Sequence, residues 1–72
     1  MKEVFIKTET IELGHFLKWA DITATGGEAK ILIQQGKIKV NGKIEKRRSA
    51  ELSEGNIVTR IDTDQSYKVI KE

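Results

Sequence analysis

The spacing of apolar residues predicts a short strand and then a helix at the beginning of the chain. Glu3–Lys7 combines β-branched and aromatic residues with Val4 and Ile6 on one side, which is typical of a strand. From Thr10 onward the apolar spacing becomes i, i+3, i+4 and i+7, which predicts a first helix. Its apolar stripe consists of Leu13, Phe16, Leu17 and Ala20. In the loop that follows, we expect Ile22 to pack under this helix.

A second helix is predicted from Gly26 or Gly27 to Gln35. Thr25 precedes Glu28 by three residues, the spacing of a capping box that satisfies two free N–H groups at a helix start. The core face of the helix consists of Ala29, Leu32 and Ile33. Gly36 follows where a residue with a left-handed backbone usually ends a helix.

Beyond Gly36 the period of the pattern changes to two, which predicts a hairpin. The segment 37–40 alternates polar and apolar residues, Asn41-Gly42 is a strong turn signal, and 43–45 returns to extended structure. A two-residue turn would pair Val40 with Lys43 and so mix the two faces of the hairpin. We therefore expect a longer or bulged connection that brings Val40 and Ile44 to the same side.

The rest of the chain is predicted to complete a small sheet. We predict a loop at "SAELSEGN" and a strand at Ile57–Ile61. We then predict a polar turn at "DTDQS" and a final strand at "YKVI". The expected fold class is α+β, with two helices packed on a small, mostly antiparallel sheet of about four to five strands. We expect residues 1–72 to form a single domain.

Composition excludes several kinds of chemistry. Without cysteine, the chain has no disulfide, no thiolate nucleophile and no thiolate metal site. His15 is the single histidine, and no nucleophile–base pair is recognisable, so we expect no enzyme activity, metal, cofactor or small-molecule substrate. No apolar run approaches the roughly 20 residues of a membrane span. The first residues do not resemble a signal peptide. We therefore expect a cytoplasmic protein without membrane contact.

Charge is concentrated in one short segment of the sequence. Residues 37–48 contain six cations and one acid, a net charge of +5, whereas the whole chain carries only +2. Clustered cations bind phosphates more strongly than scattered ones, so this basic segment indicates a polyanionic partner. The alternative for any single lysine is that it keeps a short sheet soluble and protects its edge.

The start of the second helix and the first helix offer further candidates. "TGGEAK" places two glycines and free N–H groups at a helix N-terminus, an arrangement that favours anions. The alternative is an ordinary capped helix, and the Glu28 carboxylate competes for the same donors. Trp19 lies off the apolar stripe. It either packs half-buried against a loop or stacks on a base, and we expect His15 at the surface.

The segment "TGGEAKILIQQGKIKVNGKIEKRRSAELSEGNIV" resembles the S-four domain, the RNA-binding domain named after the fourth small-subunit ribosomal protein, with its alpha-L motif. The matching pattern is an Ala and an Ile on a helix, then G-x-[IV]-x-V-N-G, and a Gly before the last apolar strand. Its positions in this chain are Ala29, Ile33, Gly36, Ile38, Val40, Asn41, Gly42 and Gly55. The resemblance covers about residues 11–61, and it is strongest to the short stand-alone members of the YaaA/YbcJ type.

This resemblance implies a non-catalytic module that binds structured RNA, either ribosomal or transfer RNA. We expect it to be a monomer. Many family members have Ser-Arg where Gly26-Gly27 stands, so an RNA-contacting Arg is absent here and the hairpin has to contribute more. The expected RNA-binding residues are Thr25, Gly26, Gly27, Lys30, Lys37, Lys39, Asn41, Gly42, Lys43, Lys46, Arg47 and Arg48. A small adaptor domain that docks on an acidic protein surface is the alternative. Duplex DNA is a weaker one, because no helix carries base-reading side chains.

Overall fold

The computed structural model describes all residues from 1 to 72 and contains two helices and seven strands. In chain order these are β1 (Lys2–Ile6), β2 (Ile11–Glu12), α1 (Leu13–Trp19), α2 (Gly26–Gln34), β3 (Ile38–Val40), β4 (Lys43–Ile44), β5 (Glu51–Leu52), β6 (Ile57–Arg60) and β7 (Gln65–Lys71).

Five strands form the main sheet, in the order β1-β7-β6-β3-β4. The β7–β6, β6–β3 and β3–β4 pairs are antiparallel, and only the pair of terminal strands, β1 and β7, is parallel. The predicted fold class, two helices on a small and mostly antiparallel sheet, is therefore confirmed.

The helices cover one face of this sheet. Side chains from both helices and from alternate positions of β1, β3, β6 and β7, together with Ile22 and Leu52, form a core of 14 buried residues. Ile22 belongs to this core, as expected. The opposite face of the sheet has no layer over it and carries Phe5 and Ile44, each about half exposed. Neither helix is both long and apolar enough to cross a membrane.

The first helix begins later than predicted, because Ile11 and Glu12 form a strand. β2 pairs antiparallel with β5, so part of the expected "SAELSEGN" loop is also strand. Each strand has only two residues, which is too short for an alternating pattern to appear in the sequence. The pairing brings Ile11 opposite Leu52, and Leu52 is buried in the core.

The limits of α2 agree with the sequence-based prediction. The Thr25 hydroxyl accepts a hydrogen bond from the backbone N–H of Glu28 at 3.1 Å. At the other end Gly36 has φ +73°, its N–H donates to the Ile33 carbonyl, and the Lys37 N–H donates to the Leu32 carbonyl. These two bonds form a Schellman motif, so the glycine ends the helix as expected.

The predicted bulge between β3 and β4 is wrong. Lys39 pairs with Ile44 and Val40 with Lys43, so the turn contains only Asn41 and Gly42. Both turn residues have positive φ, 51° and 84°, which matches the twist of a tight hairpin. β4 is a two-residue edge strand with both side chains exposed, so no buried face forces Ile44 to the side of Val40.

Candidate nucleic-acid interface

The segment that follows the hairpin caps the start of α1. The Leu13 N–H donates to the Ala50 carbonyl at 2.8 Å, and the Gly14 N–H donates to the Arg48 carbonyl at 3.0 Å. Two donors that a helix start normally leaves free are therefore used by backbone carbonyls. These bonds fix the backbone of Arg48 against α1 and leave its side chain exposed.

Arg48 faces a groove that both helices border. Its side chain shares this groove with Gly26, the first residue of α2, and with His15 and Lys18 on the exposed side of α1. The remaining lining residues are Glu12, Gly14 and Ser49. The sequence-based prediction missed Lys18 and assigned His15 no role. The signal that could have identified both is their position on the polar side of the predicted first helix.

The start of α2 offers two unpartnered backbone donors. The N–H groups of Gly26 and Gly27 have no hydrogen-bond partner in the protein. Glu28 does not use them, because its carboxylate accepts instead from the N–H of Ala24 at 3.1 Å. The expected competition for these donors is therefore absent, although the negative charge of Glu28 remains in the first turn of the helix.

Two of the predicted cations lie at the opposite end of α2. The stem of Lys46 extends over Gly36, where an added Cβ would lie 3.4 Å from its Cε. The Lys37 carbonyl accepts a hydrogen bond from the N–H of Ile61. The hydrogen bond from Arg60 is the main cause that holds the pKa of the neighbouring Asp62 below its usual value. The ammonium group of Lys37 adds to the same shift. The basic segment thus extends along α2 and is not confined to the helix start.

The hairpin directs its other cations to different sides of the sheet. Lys39 is half-buried on the open face, where it lies between Thr59 and Ile44. Lys43 is exposed and pairs with Val40, so it belongs to the opposite face.

The turn between these strands is attached to the neighbouring strand β6. Asn41 exchanges two hydrogen bonds with Ile57: its N–H donates to the Ile57 carbonyl and its Oδ1 accepts from the Ile57 N–H at 2.9 Å. Gly42 forms the exposed tip of the turn, and Lys30 is exposed on α2.

Arg47 differs from the other cations because it is already paired. Its guanidinium donates twice to the Glu45 carboxylate, with both N–O distances 3.1 Å. These hydrogen bonds hold the pKa of Glu45 below its usual value and raise the pKa of Arg47. The other ion pairs involve Arg60 and Lys71, so the remaining cations of the basic segment have no acidic partner.

Other parts of the surface lack this chemistry. A second concavity is lined by Met1, Lys2, Ala20, Asp21, Asp64, Gln65, Ser66 and Tyr67. Its two aspartates outnumber Lys2, whereas the groove beside Arg48 has two cations, Lys18 and Arg48, against Glu12 alone. The groove beside Arg48 is therefore the better anion site. No group of three or more histidine, aspartate or glutamate side chains is arranged to hold a metal ion.

Comparison with known proteins identifies the family. Residues 4–70 match the S4 domain. This protein belongs to the S4 domain family. A relative of this S4 domain, the probable ribosome maturation protein RlbA of Bacillus subtilis, is 37% identical over 67 residues, which cover 93% of each chain. The resemblance expected from the sequence is confirmed.

A solved structure supports the same assignment at the level of the fold. The solution structure of YbcJ from E. coli matches with a TM-score of 0.72 and 30% identity. The match covers 97% of this chain and 87% of YbcJ, whose structure is described as revealing an alfaL motif involved in RNA binding. The similarity therefore includes both helices, the hairpin and the sheet that supports them.

Proposed function

We propose that this S4 domain is a non-catalytic module that binds structured RNA, ribosomal RNA in the first instance and transfer RNA as the alternative. The observation that carries the proposal is the position of Arg48. Its unpaired guanidinium faces the same groove as Gly26, whose N–H is free, while Lys46 and Lys37 continue the positive charge along α2. Membership of the S4 family and the RNA-related descriptions of RlbA and YbcJ support the same conclusion.

Each part of the basic segment has a distinct task in this proposal. Arg48 binds a phosphate through its planar guanidinium, and the N–H groups of Gly26 and Gly27 donate to another phosphate oxygen at the helix start. The ammonium groups of the lysines act as point charges on neighbouring phosphates. These lysines are Lys30, Lys37, Lys39, Lys43 and Lys46. Thr25, Asn41 and Gly42 act indirectly, because they hold the helix start and the hairpin turn in position.

Arg47 takes part only after it leaves Glu45. The carboxylate presents the same bidentate geometry as a phosphate, so the two compete for one guanidinium. The expected contribution of Arg47 is therefore smaller than that of Arg48.

Recognition through these groups reads the shape and backbone of the RNA. The major groove of A-form RNA is too deep and narrow for side chains to read, whereas junctions, bulges and loops expose backbone in arrangements that a rigid protein surface can match. If about four to six phosphates are neutralised, affinity decreases steeply with salt. We further propose that the chain acts as one domain, as a monomer and in the cytoplasm.

Fluorescence anisotropy over a salt series tests this function. The probes are folded ribosomal RNA fragments, an unstructured RNA and duplex DNA. We expect the tightest and most salt-dependent binding with folded RNA, and a loss of that binding when Lys46, Arg47 and Arg48 are all changed to Ala.

The matched control removes the same charge elsewhere. Lys2, Lys7 and Lys68 are exposed cations outside the basic segment, and changing all three to Ala should leave most of the affinity intact. Equal losses in the two triple variants would show that only net charge matters. Binding of an acidic protein that persists after nuclease treatment, without preference for folded RNA, would favour the adaptor function.

A further inference from the structure

The indole of Trp19 is a large aromatic surface that the fold holds open to solvent. The side chain is 53% exposed at the end of α1, although tryptophan is on average a highly buried residue. Its Nε1–H donates to the Phe5 carbonyl on β1 at 2.8 Å. The single polar atom of the ring is therefore satisfied within the protein, and what remains accessible is the apolar π surface.

Cationic and neutral side chains surround this ring. Trp19 lines an open groove with Ile11, His15 and Lys18, and no acidic residue takes part. His15 and Lys18 also line the adjacent groove that contains Arg48. The aromatic surface therefore adjoins the proposed RNA interface through the two residues that the grooves share. The only carboxylate in the lining of the two grooves belongs to Glu12, in the groove that contains Arg48.

We infer that Trp19 stacks on an unpaired base of the bound RNA, while Lys18 and Arg48 hold the phosphates beside that nucleotide. Specific RNA recognition uses unstacked bases that lie on aromatic side chains, and the flanking phosphates require cations at short range. A base inside a continuous duplex cannot present its face to the ring. The inference rests on the proposed function and refines it: the target contains a bulged or otherwise unpaired nucleotide.

An apolar protein contact at Trp19 fits the surroundings less well. Such a contact needs a continuous apolar patch, whereas two of the three other residues in this groove, His15 and Lys18, are polar or charged. Charge complementarity therefore favours a nucleotide over a hydrophobic segment or a second copy of the chain.

The test uses the fact that Trp19 is the only tryptophan in the protein. Its fluorescence therefore reports directly on contact with the ring. The probes are an RNA hairpin with one bulged nucleotide and the same hairpin fully paired. Because stacking accepts any base, the identity of the bulged base is varied as a check. We expect quenching by the bulged hairpin at concentrations where the paired hairpin has little effect.

Two variants separate stacking from structural effects. Trp19→Leu keeps an apolar side chain but removes the aromatic face, and should weaken binding of the bulged hairpin about 5- to 150-fold, since stacking contributes about 1–3 kcal/mol per base. Like Trp19→Leu, Trp19→Phe removes the hydrogen bond to the Phe5 carbonyl. It keeps an aromatic ring, however, and should retain most of the affinity. Phe5→Leu removes the other half-exposed aromatic ring and should change nothing.

Equal affinity losses in Trp19→Leu and Trp19→Phe would overturn the inference, because the bond to Phe5 and not the ring would then matter. Wild-type affinity of Trp19→Leu for the bulged hairpin would overturn it as well. In both cases the proposed function stands if the Lys46, Arg47, Arg48 triple variant loses binding to both hairpins. Failure of wild-type protein to bind any folded RNA in a salt-dependent way would overturn the proposed function along with the inference.

Discussion

The Arg47 guanidinium and the Glu45 carboxylate face each other with two parallel hydrogen bonds, from Nε to Oε2 and from Nη2 to Oε1. The same carboxylate also accepts from the Arg47 backbone N–H at 3.1 Å. A single acid thus holds both the side chain and the backbone of one cation in the proposed RNA-binding segment. Glu45 consequently offsets one positive charge of this segment.

Changing Glu45 to Gln should strengthen RNA binding. The substitution removes a negative charge from the interface and releases Arg47, whose fork geometry suits a phosphate oxygen pair. Anisotropy with a folded ribosomal RNA fragment should show an affinity gain of about 2- to 5-fold at low salt. The dependence of affinity on salt concentration should become steeper by the amount that corresponds to about one additional phosphate contact. The control is Glu54→Gln, which removes an exposed acid outside the basic segment. An equal gain there would attribute the effect to net charge alone.

Asn41 should be sensitive to Ala and tolerant of Asp. Ala loses the acceptor for the Ile57 N–H and must adopt the left-handed φ of 51° at position 41. The two effects together should lower the free energy of unfolding by about 2 kcal/mol in urea denaturation. Asp keeps the acceptor and tolerates this conformation, so Asn41→Asp should stay near the wild-type value. If Ala and Asp destabilise equally, the side-chain bond is not what holds the turn.

The glycines at the two ends of α2 should respond differently to the same substitution. Gly36→Ala places a side chain at φ +73°, which costs about 1–2 kcal/mol, and its Cβ also meets the flexible end of Lys46. Gly26→Ala meets no atom within 4 Å and has no left-handed backbone, so its stability should equal or slightly exceed that of the wild type. Thermal unfolding of both variants checks this difference. A Gly36→Ala protein as stable as Gly26→Ala would contradict the assigned Schellman motif.

Stability should decrease in acid, in part because of Glu45 and Asp62. Hydrogen bonds from Arg47 and from Arg60 lower the pKa of these two carboxyl groups below their usual values of 4.5 and 3.8. Since the folded-state pKa is lower than the unfolded-state pKa, their contribution is complete above about pH 4.5 and disappears as the pH falls through the folded values. Urea midpoints measured from pH 7 to pH 2 should therefore fall less steeply in a Glu45→Gln, Asp62→Asn variant. An unchanged dependence of the urea midpoint on pH would show that the Glu45–Arg47 and Asp62–Arg60 pairs do not contribute to the loss of stability in acid.

Local signals in the sequence predicted the ends of helices and strands well where the group that stabilises the end lies only a few residues away. The Thr25 hydroxyl accepts from the Glu28 N–H at the start of α2, and Gly36 supplies the left-handed residue at its end. The Asn41-Gly42 pair carried the correct signal for a two-residue turn. The expectation of a bulge failed because it assumed that Ile44 has to be buried, whereas an edge strand of two residues has no such requirement.

Long-range pairings account for what the sequence did not predict. The start of α1 is set by carbonyl groups of Arg48 and Ala50, more than thirty positions away, and backbone atoms leave no trace in a side-chain pattern. The same contact brings Arg48 into a groove with His15 and Lys18. Clustering of charge in the sequence pointed to the basic segment as a candidate, but it carried no information on which cations would share a surface.

We expect the pairing of β1 with β7 to form late when the chain folds. It joins residues at opposite ends of the sequence, such as Lys2 and Tyr67, and closing so long a loop is entropically unfavourable until other contacts exist. The helices and the hairpin depend on shorter-range contacts and can assemble first. Among the elements of this domain β1 is synthesised first, and its partner β7 is synthesised last. In that interval β1 lacks its pairing partner, and Val4 and Ile6 lack their core contacts, so we expect β1 to be prone to association with other chains before folding is complete.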